Sequence, residues 1–166
     1  MSKTKKITLI AIILASILLI TIIINGFISS LWLDKTIERR FLDNKQIFER
    51  IKQICSEEKI DYIGDSDNPN LEKQDYEMIR GYFVYADEAL KDDIKSELKD
   101  ILTKFKSYKI HSINVYNNGI AFDAKNFFKS IELVYTEENE SIDFIIERNF
   151  CREARYIDDK WYLLIQ

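Results

Sequence analysis

The amino-terminal part of the chain is an almost unbroken apolar segment. Ile7 to Ile24 consists of Ile, Leu and Ala, and its only polar interruptions are Thr8, Ser16 and Thr21. The segment 7–33 would be about 40 Å long as an α-helix, whereas a bilayer core is crossed by roughly 20 apolar residues. No Asp or Glu precedes Asp34. The pattern therefore predicts a transmembrane anchor over residues 7–33.

A cleaved secretory signal peptide is the alternative interpretation of this segment. Signal peptides have an apolar core of about 7–15 residues followed by small residues at the cleavage site. The apolar core here is longer, and a cut after Ser30 would place the bulky Ile28 at the −3 position. We therefore favour an uncleaved, single-pass anchor.

The charges around the anchor predict its orientation. Lysines 3, 5 and 6 precede it, but a similar number of cations follow it. The first helix of a chain usually dominates topology, and long domains are translocated largely regardless of charge. Removing the three leading lysines takes the formal net charge from −4 to −7, and Trp32 stands where an interfacial aromatic residue is expected. We expect residues 1–6 in the cytoplasm and residues 34–166 as one extracytoplasmic domain at the cell membrane.

Three helices are predicted after the anchor from apolar residues at helical spacing. The first spans about Asp34 to Lys59, and its apolar positions are Ile37, Phe41, Phe48, Ile51 and Cys55. The second begins at Asn68 or Asn70, and its apolar positions are Leu71, Tyr76, Ile79 and Phe83. The third has its apolar positions at Leu90, Ile94, Leu98, Ile101 and Phe105.

From Tyr108 onward the apolar period changes to two, which predicts strands. Asn117-Asn118-Gly119 is a strong signal for a two-residue hairpin. The predicted strands are 113–115, 120–122, 131–135, 142–146, 154–156 and 161–165. A series of helices followed by a series of strands predicts an α+β fold, with helices packed on one face of a C-terminal antiparallel sheet.

Composition and motifs narrow the functional classes. The acidic balance argues against nucleic-acid binding, which needs a basic surface. Cys55 and Cys151 have no metal-binding spacing, and whether they form a disulfide stays open. The loop that begins at Asp65 invites a calcium interpretation, but Pro69 and Tyr76 occupy positions where an EF-hand needs ligands. We predict no metal, no cofactor and no nucleic-acid partner.

No catalytic residue is predicted. His111 is the only histidine, and it shares strand parity with Ile113 and Val115, so we expect a structural role. A nucleophile motif of a hydrolase is absent from the sequence. Aromatic residues near arginines could line a pocket for an anionic ligand, although core filling is the simpler interpretation. The candidate pocket residues are Tyr82, Tyr85, Phe144, Tyr156, Trp161 and Arg152.

Two short segments resemble known proteins. Phe41-x-x-Asn44-Lys45-x-x-Phe48-x-x-Ile51 and the stretch Tyr156 to Trp161-Tyr162 resemble small, membrane-anchored, uncharacterised proteins of low-GC Gram-positive bacteria. The second stretch, with the order of helices before strands, is also similar to NTF2-like (cystatin-like) extracytoplasmic domains. That resemblance implies either a role in assembly, as in VirB8-like subunits of secretion systems, or the binding of small ligands.

The resulting functional hypothesis is a membrane-tethered, non-enzymatic protein that acts by contact with other envelope proteins or with itself. The alternative is a module that binds a small ligand or a lipid in a pocket between the helices and the sheet.

Overall fold

The computed structural model describes residues 3–65, 75–116, 119–125, 129–137 and 151–166. It has three helices, α1 (Lys3–Leu31), α2 (Leu33–Glu57) and α3 (Asp92–Tyr108). Eight strands complete it: β1 (Ile60–Asp65), β2 (Glu77–Ile79), β3 (Tyr82–Ala86), β4 (Ile110–Tyr116), β5 (Gly119–Lys125), β6 (Ser130–Thr136), β7 (Glu153–Asp158) and β8 (Trp161–Ile165). The predicted α+β class is confirmed.

Helix α1 joins α2 with almost no interruption. Trp32 alone separates them, with φ −105° and ψ 1°. In α1 the structure describes the side chains of residues 12–25 and of Ile28. Among the described residues, no helix is long and apolar enough to cross a membrane.

Helix α2 lies where its apolar pattern predicts and buries the predicted positions, from Ile37 to Cys55. It ends at Glu57, two residues before the predicted Lys59, because Lys59 has a left-handed φ of 49° and turns the chain into β1. Within α2, Asn44 departs from helical geometry, and its Nδ2 donates a hydrogen bond to the Arg40 carbonyl oxygen at 3.0 Å.

Helix α3 confirms the third predicted helix and pairs with α2. Its buried residues are Leu98, Ile101, Leu102 and Phe105. Arg50 of α2 donates two hydrogen bonds to the Glu97 carboxylate of α3, each 2.7 Å long. The helix ends at Tyr108 and is capped by Lys109, which has a left-handed φ of 62° and whose N–H bonds to the carbonyl groups of Phe105 and Lys106.

The described strands form one sheet in the order β2-β3-β1-β4-β5-β6-β8-β7, with every neighbouring pair antiparallel. Helices α2 and α3 pack against one face of this sheet. The sheet is therefore not confined to the C-terminal half, because three strands that precede α3 form one of its sides.

The predicted second helix is wrong in its described part. Residues 77–79 and 82–86 are the strands β2 and β3. Arg80 and Gly81, with φ of 54° and 82°, form the tight turn between them. Positive φ at both turn residues matches the twist of an antiparallel hairpin, and Tyr82 and Val84 alternate toward the core. Residues 68–74 of the predicted helix, and the predicted strand 142–146, lie outside the described residues.

The register around the predicted hairpin agrees with a two-residue connection. Residues 117–118 are not described, but Tyr116 pairs with Gly119 and Val115 pairs with Ile120. Gly119 is also required by close packing, since a Cβ there would lie only 2.3 Å from the Tyr135 carbonyl oxygen. The other described C-terminal strands confirm the period-two prediction.

The two sheet faces are chemically distinct. On the helix-covered face, Trp161, Phe122, Phe41 and Phe48 form an aromatic cluster with ring centroids 4.8–6.4 Å apart. The opposite face, called here the second face, contains Leu164 and Cys151 in a separate apolar cluster.

The two cysteines lie on different sides of the sheet. Cys55 belongs to the helix-side core and Cys151 to the second face. Both are buried, and neither sulfur belongs to a disulfide. Because the sheet separates them, no disulfide links them.

Candidate functional site

Two acidic residues meet directly on the second face of the sheet. Asp123 of β5 and Glu132 of β6 are cross-strand partners in the antiparallel register. Their neighbours in sequence, Phe122 and Leu133, point to the opposite face and are buried in the core. Strand alternation therefore places both carboxyl groups together on the face that lacks the two packed helices. We call Asp123 and Glu132 the carboxyl pair.

Neutral side chains donate hydrogen bonds to this pair. Ser112 Oγ and Asn114 Nδ2, both on β4, donate to Asp123 Oδ2 at 2.5 and 2.7 Å. Gln166 Nε2 donates to Glu132 Oε1 at 2.8 Å. These donors stabilise negative charge on the pair without contributing a positive charge.

Burial raises the pKa of both carboxyl groups. For Glu132 the pKa rises to about 7, first through desolvation and then through the nearby charge of Asp123. Burial also raises the pKa of Asp123, against the opposing effect of the hydrogen bonds from Ser112 and Asn114. Two like charges this close are costly to ionise together. The pair therefore takes up a proton as the pH falls through about 7, and the protonated Glu132 can donate a hydrogen bond to the Asp123 carboxylate.

Two further groups near the pair respond to its charge. The pKa of the Tyr62 phenol is raised, mainly by burial and in smaller part by the charge of Asp123. The pKa of the Cys151 thiol is also raised by burial, with the charge of Glu132 contributing. The second face is therefore a partly buried polar site that can bind and release a proton near neutral pH.

The sequence contains a signal for this site that the strand prediction missed. The hairpin at residues 117–118 fixes which residues of β4 and β5 are opposite each other. It places Ser112 opposite Asp123. The polar residues on the second face can be recognised from the alternation of polar and apolar residues in the predicted strands. The pairing of β5 with β6 and the burial of the carboxyl pair can be known only from the fold.

His111 has a partner that its sequence context did not reveal. Its Nδ1 lies 2.5 Å from Asp65 Oδ2 at the end of β1. His111 is the extra residue where the register of β4 and β5 shifts between Ile110 and Ser112. A histidine oriented by a carboxylate is a common arrangement.

The predicted pocket residues are not brought together. Trp161 is in the aromatic cluster on the helix side, and its Nε1 donates to Glu49 Oε1 at 2.9 Å. Tyr82 is also buried, and its hydroxyl donates to the Ile110 carbonyl oxygen at 2.6 Å. Tyr85 pairs with Tyr62 on the second face.

The remaining predicted pocket residues lie elsewhere. Tyr156 of β7 contacts Tyr162 of β8, with ring centroids 5.8 Å apart. These two strands lie at the edge of the sheet away from β2 and β3. Arg152 is exposed just before β7. Phe144 lies outside the described residues.

A cleft does lie between a helix and the sheet, but at other residues. It has a volume of about 410 Å³ and opens between the last turns of α2 and the strands β4 to β6. Lys52 and Ser56 line its helix side, and Val115 and Tyr135 line its sheet side. Lys52 Nζ lies 3.6 Å from the centroid of the Tyr135 ring. The cleft thus combines an apolar wall with a cation.

Within the described part of the chain, no cluster of three or more His, Cys, Asp or Glu side chains could hold a metal ion. The carboxyl pair provides only two such groups. Most of the loop that follows Asp65, which invited the calcium interpretation, lies outside the described residues.

Comparison with known proteins finds no match, whether to a family model, to a curated protein or to a solved structure. The resemblance to NTF2-like domains therefore stays a prediction, and the function has to be argued from the chain itself.

Proposed function

We propose that this chain is a single-pass membrane protein whose folded domain lies outside the cytoplasm and acts by contact with other envelope proteins or with a second copy. The observation that carries this proposal is the direct continuation of α1 into α2. Only Trp32 separates an apolar helix of 29 residues from a helix that is buried in the domain core. Such a short, structured connection holds the folded domain close to the environment in which α1 lies.

The sequence and exposure of α1 support its place in a bilayer. The helix contains the apolar segment 7–24 of the sequence, and apolar side chains such as Ile12, Leu18 and Ile24 are about half exposed. At its carboxyl end, Lys35 Nζ lies 4.9 Å from the centroid of the exposed Trp32 ring. A tryptophan beside a cation is typical of the membrane interface.

An exposed apolar patch on strands β2 and β3 supports the proposal that the domain binds other proteins. Met78 of β2 is 55% exposed and Tyr76 is 51% exposed. Tyr76 packs edge-to-face on Phe83, with ring centroids 4.8 Å apart. Exposed aromatic and methionine side chains are enriched where proteins bind one another. We call Tyr76, Met78 and Phe83 the β2 patch.

Protease treatment of intact protoplasts tests the topology. If the domain is extracytoplasmic, added protease removes a carboxy-terminal tag while a cytoplasmic control protein survives. Survival of the tag would place the domain on the other side of the membrane. Release of tagged protein into the medium, processed near Ser30, would instead show a cleaved signal peptide.

Crosslinking in membranes tests the contact role. We expect Met78→Asp to abolish crosslinks of the full chain to a partner or to a second copy, because a charge opposes burial of the β2 patch. Leu42→Asp is the matched control, since Leu42 is 51% exposed on α2. Equal crosslinking by both variants and the unchanged chain would exclude the β2 patch as the contact surface.

The cleft beside α2 favours a second candidate function, the binding of a small amphipathic ligand or lipid. Native mass spectrometry of the full chain, extracted from membranes, would detect such a ligand. Ser56→Trp should fill the cleft and remove the bound mass, whereas Gln46→Trp, on an exposed part of α2, should retain it. Absence of any bound species from the unchanged chain would reject this candidate.

A further inference from the structure

The two ends of the folded domain can be defined by the direction of its helices. Helix α3 runs opposite to α2, because Arg50 of α2 binds Glu97 in the first half of α3, whereas Arg40 lies over the ring of Tyr108 in its last turn, 5.2 Å from the centroid. The start of α2, which adjoins α1, is thus on the same side as the end of α3. We call this side the near end and the opposite side the far end.

Strands place further residues at the near end. Strand β1 begins at Ile60, just after α2, and runs back to Asp65, which pairs with Tyr82 at the start of β3. The Arg80-Gly81 turn therefore lies at the near end. A Cβ atom on Gly81 would be 3.8 Å from Lys106 Nζ, so this turn and the last turn of α3 are neighbours.

Cations are concentrated at the near end. Arg80 and Lys106 line one open depression, and Lys106, Lys109 and His111 line the one beside it. Among the described residues, neither Arg80, Lys106 nor Lys109 forms an ion pair with an acidic side chain. Lys35, Arg39 and Arg40 follow Trp32 on α2 and belong to the same end.

The described acidic side chains near α1 already have side-chain partners. Asp34 is paired with Lys129 at 3.1 Å and with Arg155 at 3.5 Å. Glu38 is paired with the same arginine at 2.9 Å, and Asp65 is bonded to His111. Asp65 also borders the depression that Lys106 and Lys109 line, but with Arg80 these cations still leave an excess of positive charge at the Arg80 turn and the end of α3.

The far end has the opposite composition. The Asp87 N–H bonds to the Lys59 carbonyl oxygen, so the segment after β3 meets the end of α2 there. The acidic residues at this end are Glu57, Glu58, Asp61, Asp87, Glu88, Asp92 and Asp93. Among the described residues, these carboxylates outnumber the far-end cations such as Lys59 and Lys91, whereas the Arg80 turn and the end of α3 have an excess of cations beside α1.

Helix dipoles explain only part of this separation. Acidic residues in the first turn of α3 and Lys106 in its last turn both match the helix dipole. Arg39 is paired with Asp43 at 3.5 Å, but Lys35 lies in the first turn of α2, where the dipole disfavours a cation. Arg80 lies on a strand turn, which has no comparable dipole. The helix dipoles therefore do not explain the positions of Lys35 and Arg80.

We propose that the near end binds anionic lipid headgroups, with Arg80, Lys106 and Lys109 contacting phosphate groups of the bilayer that surrounds α1. This inference rests on the proposed membrane insertion of α1. Arg40 comes eight residues after Trp32, roughly 12 Å along the helix axis. That distance is close to the Debye length of about 10 Å at moderate salt, so these cations lie where a charged membrane surface attracts them.

Lysine acetylation measured by mass spectrometry tests this surface. The full chain is reconstituted in vesicles of phosphatidylcholine alone and in vesicles that also contain phosphatidylglycerol. We expect acetylation of Lys106 and Lys109 to slow by about threefold or more with the anionic lipid, and high salt to reverse the effect. Lys91, exposed at the far end, is the internal control and should react equally in both vesicles.

Each outcome has a distinct meaning. Failure of the chain to float with either vesicle would reject membrane insertion and the proposed function. Flotation with both vesicles, but equal acetylation of Lys106 in both, would overturn the headgroup inference alone. Protection of Lys106 by inorganic phosphate in phosphatidylcholine vesicles would assign the surface to a soluble anion, and would also overturn it.

A variant with fewer near-end cations gives a second test. Arg80→Gln combined with Lys109→Gln should remove most of the lipid-dependent protection of Lys106. The matched control, Lys59→Gln combined with Lys91→Gln, removes two cations from the far end and should leave that protection unchanged. Equal protection in both double variants would show that the near-end cations do not act together, and would overturn the inference.

Discussion

The face of the sheet that α2 and α3 cover is filled by aromatic rings, whereas the second face buries a pair of carboxyl groups. Trp161 and Phe122 contact one another on the first face, and Asp123 and Glu132 are partners on the second. The same strands supply both sets, since alternate residues point to opposite faces. One face thus contributes mainly to stability, and the other contains chemistry that depends on pH.

The difference follows from how each kind of side chain tolerates burial. Aromatic rings lose unfavourable contact with water and gain packing, so their burial is stabilising at any pH. Carboxyl groups lose hydration, so their burial favours the protonated form and makes stability depend on pH. Substitutions on the two faces should therefore change the free energy of unfolding by different amounts and with a different dependence on pH.

The largest effect is expected on the helix-covered face. Trp161→Ala should destabilise the protein by about 3–5 kcal/mol, because it removes a fully buried ring and leaves a cavity. Urea unfolding of the full chain in detergent, followed by circular dichroism, would measure the change. A loss within about 0.5 kcal/mol would mean that Trp161 is not part of the core.

The second face should make the free energy of unfolding depend on pH. A carboxyl group whose pKa is raised on folding stabilises the folded state below its unfolded pKa, and this contribution is lost as pH rises through the folded value. For Glu132 the window runs from about 4.5 to about 7, and because the group is partly exposed the change should stay below the roughly 3.4 kcal/mol that 1.36 kcal/mol per pKa unit gives. Unfolding free energy of the unchanged chain should fall across this window.

The variant Glu132→Gln isolates that effect, since Gln resembles the protonated acid and does not titrate. We expect the difference in unfolding free energy between the variant and the unchanged chain to increase in favour of Gln as pH rises through this window. A constant difference would show that Glu132 keeps an ordinary pKa and that the carboxyl pair holds no shared proton.

A smaller effect is expected from the donors around the carboxyl pair. Ser112→Ala removes the hydroxyl that donates to Asp123, which should cost about 1 kcal/mol and raise the titration midpoint of the pair. Carboxyl NMR would follow the midpoint. Ser107→Ala is the control, because the Ser107 hydroxyl donates to a backbone carbonyl on the surface of α3, and it should leave the titration unchanged.

The smallest effect should come from an aromatic ring on the second face. Tyr156 is 55% exposed and packs mainly on Tyr162, so Tyr156→Ala should cost less than about 1 kcal/mol. The same unfolding experiment as for Trp161→Ala measures it. A loss comparable to that of Trp161→Ala would show that both faces contribute equally to the core.

Much of the fold was predictable where the apolar period is unambiguous. Helix α2 and helix α3 were found by helical spacing, and β4, β5, β6 and β8 by alternation. The segment 76–83 was not, because Tyr76, Ile79 and Phe83 also fit a helical spacing in so short a window. Pairing of β3 with β1, through contacts such as Val84 with Ile63, decided in favour of strands.

The candidate site was harder to predict from the sequence. His111 was recognised, but its partner Asp65 was predicted to begin a loop, whereas it is the last residue of strand β1. The carboxyl pair was not recognised, because an acidic residue on a strand is usually solvated. The predicted pocket combined Tyr82 and Trp161 with Tyr85 and Tyr156, which the alternation of the sheet places on opposite faces.

The sequence by itself determined the apolar amino-terminal segment, the two amphipathic helices, most of the strands and the acidic balance, since these depend on local spacing and composition. Only the tertiary structure decided that Asp123 meets Glu132, that His111 meets Asp65, and that the cations of the near end gather beside α1. Those arrangements depend on strand order and helix direction. Contacts between distant residues, rather than local preferences, fix both.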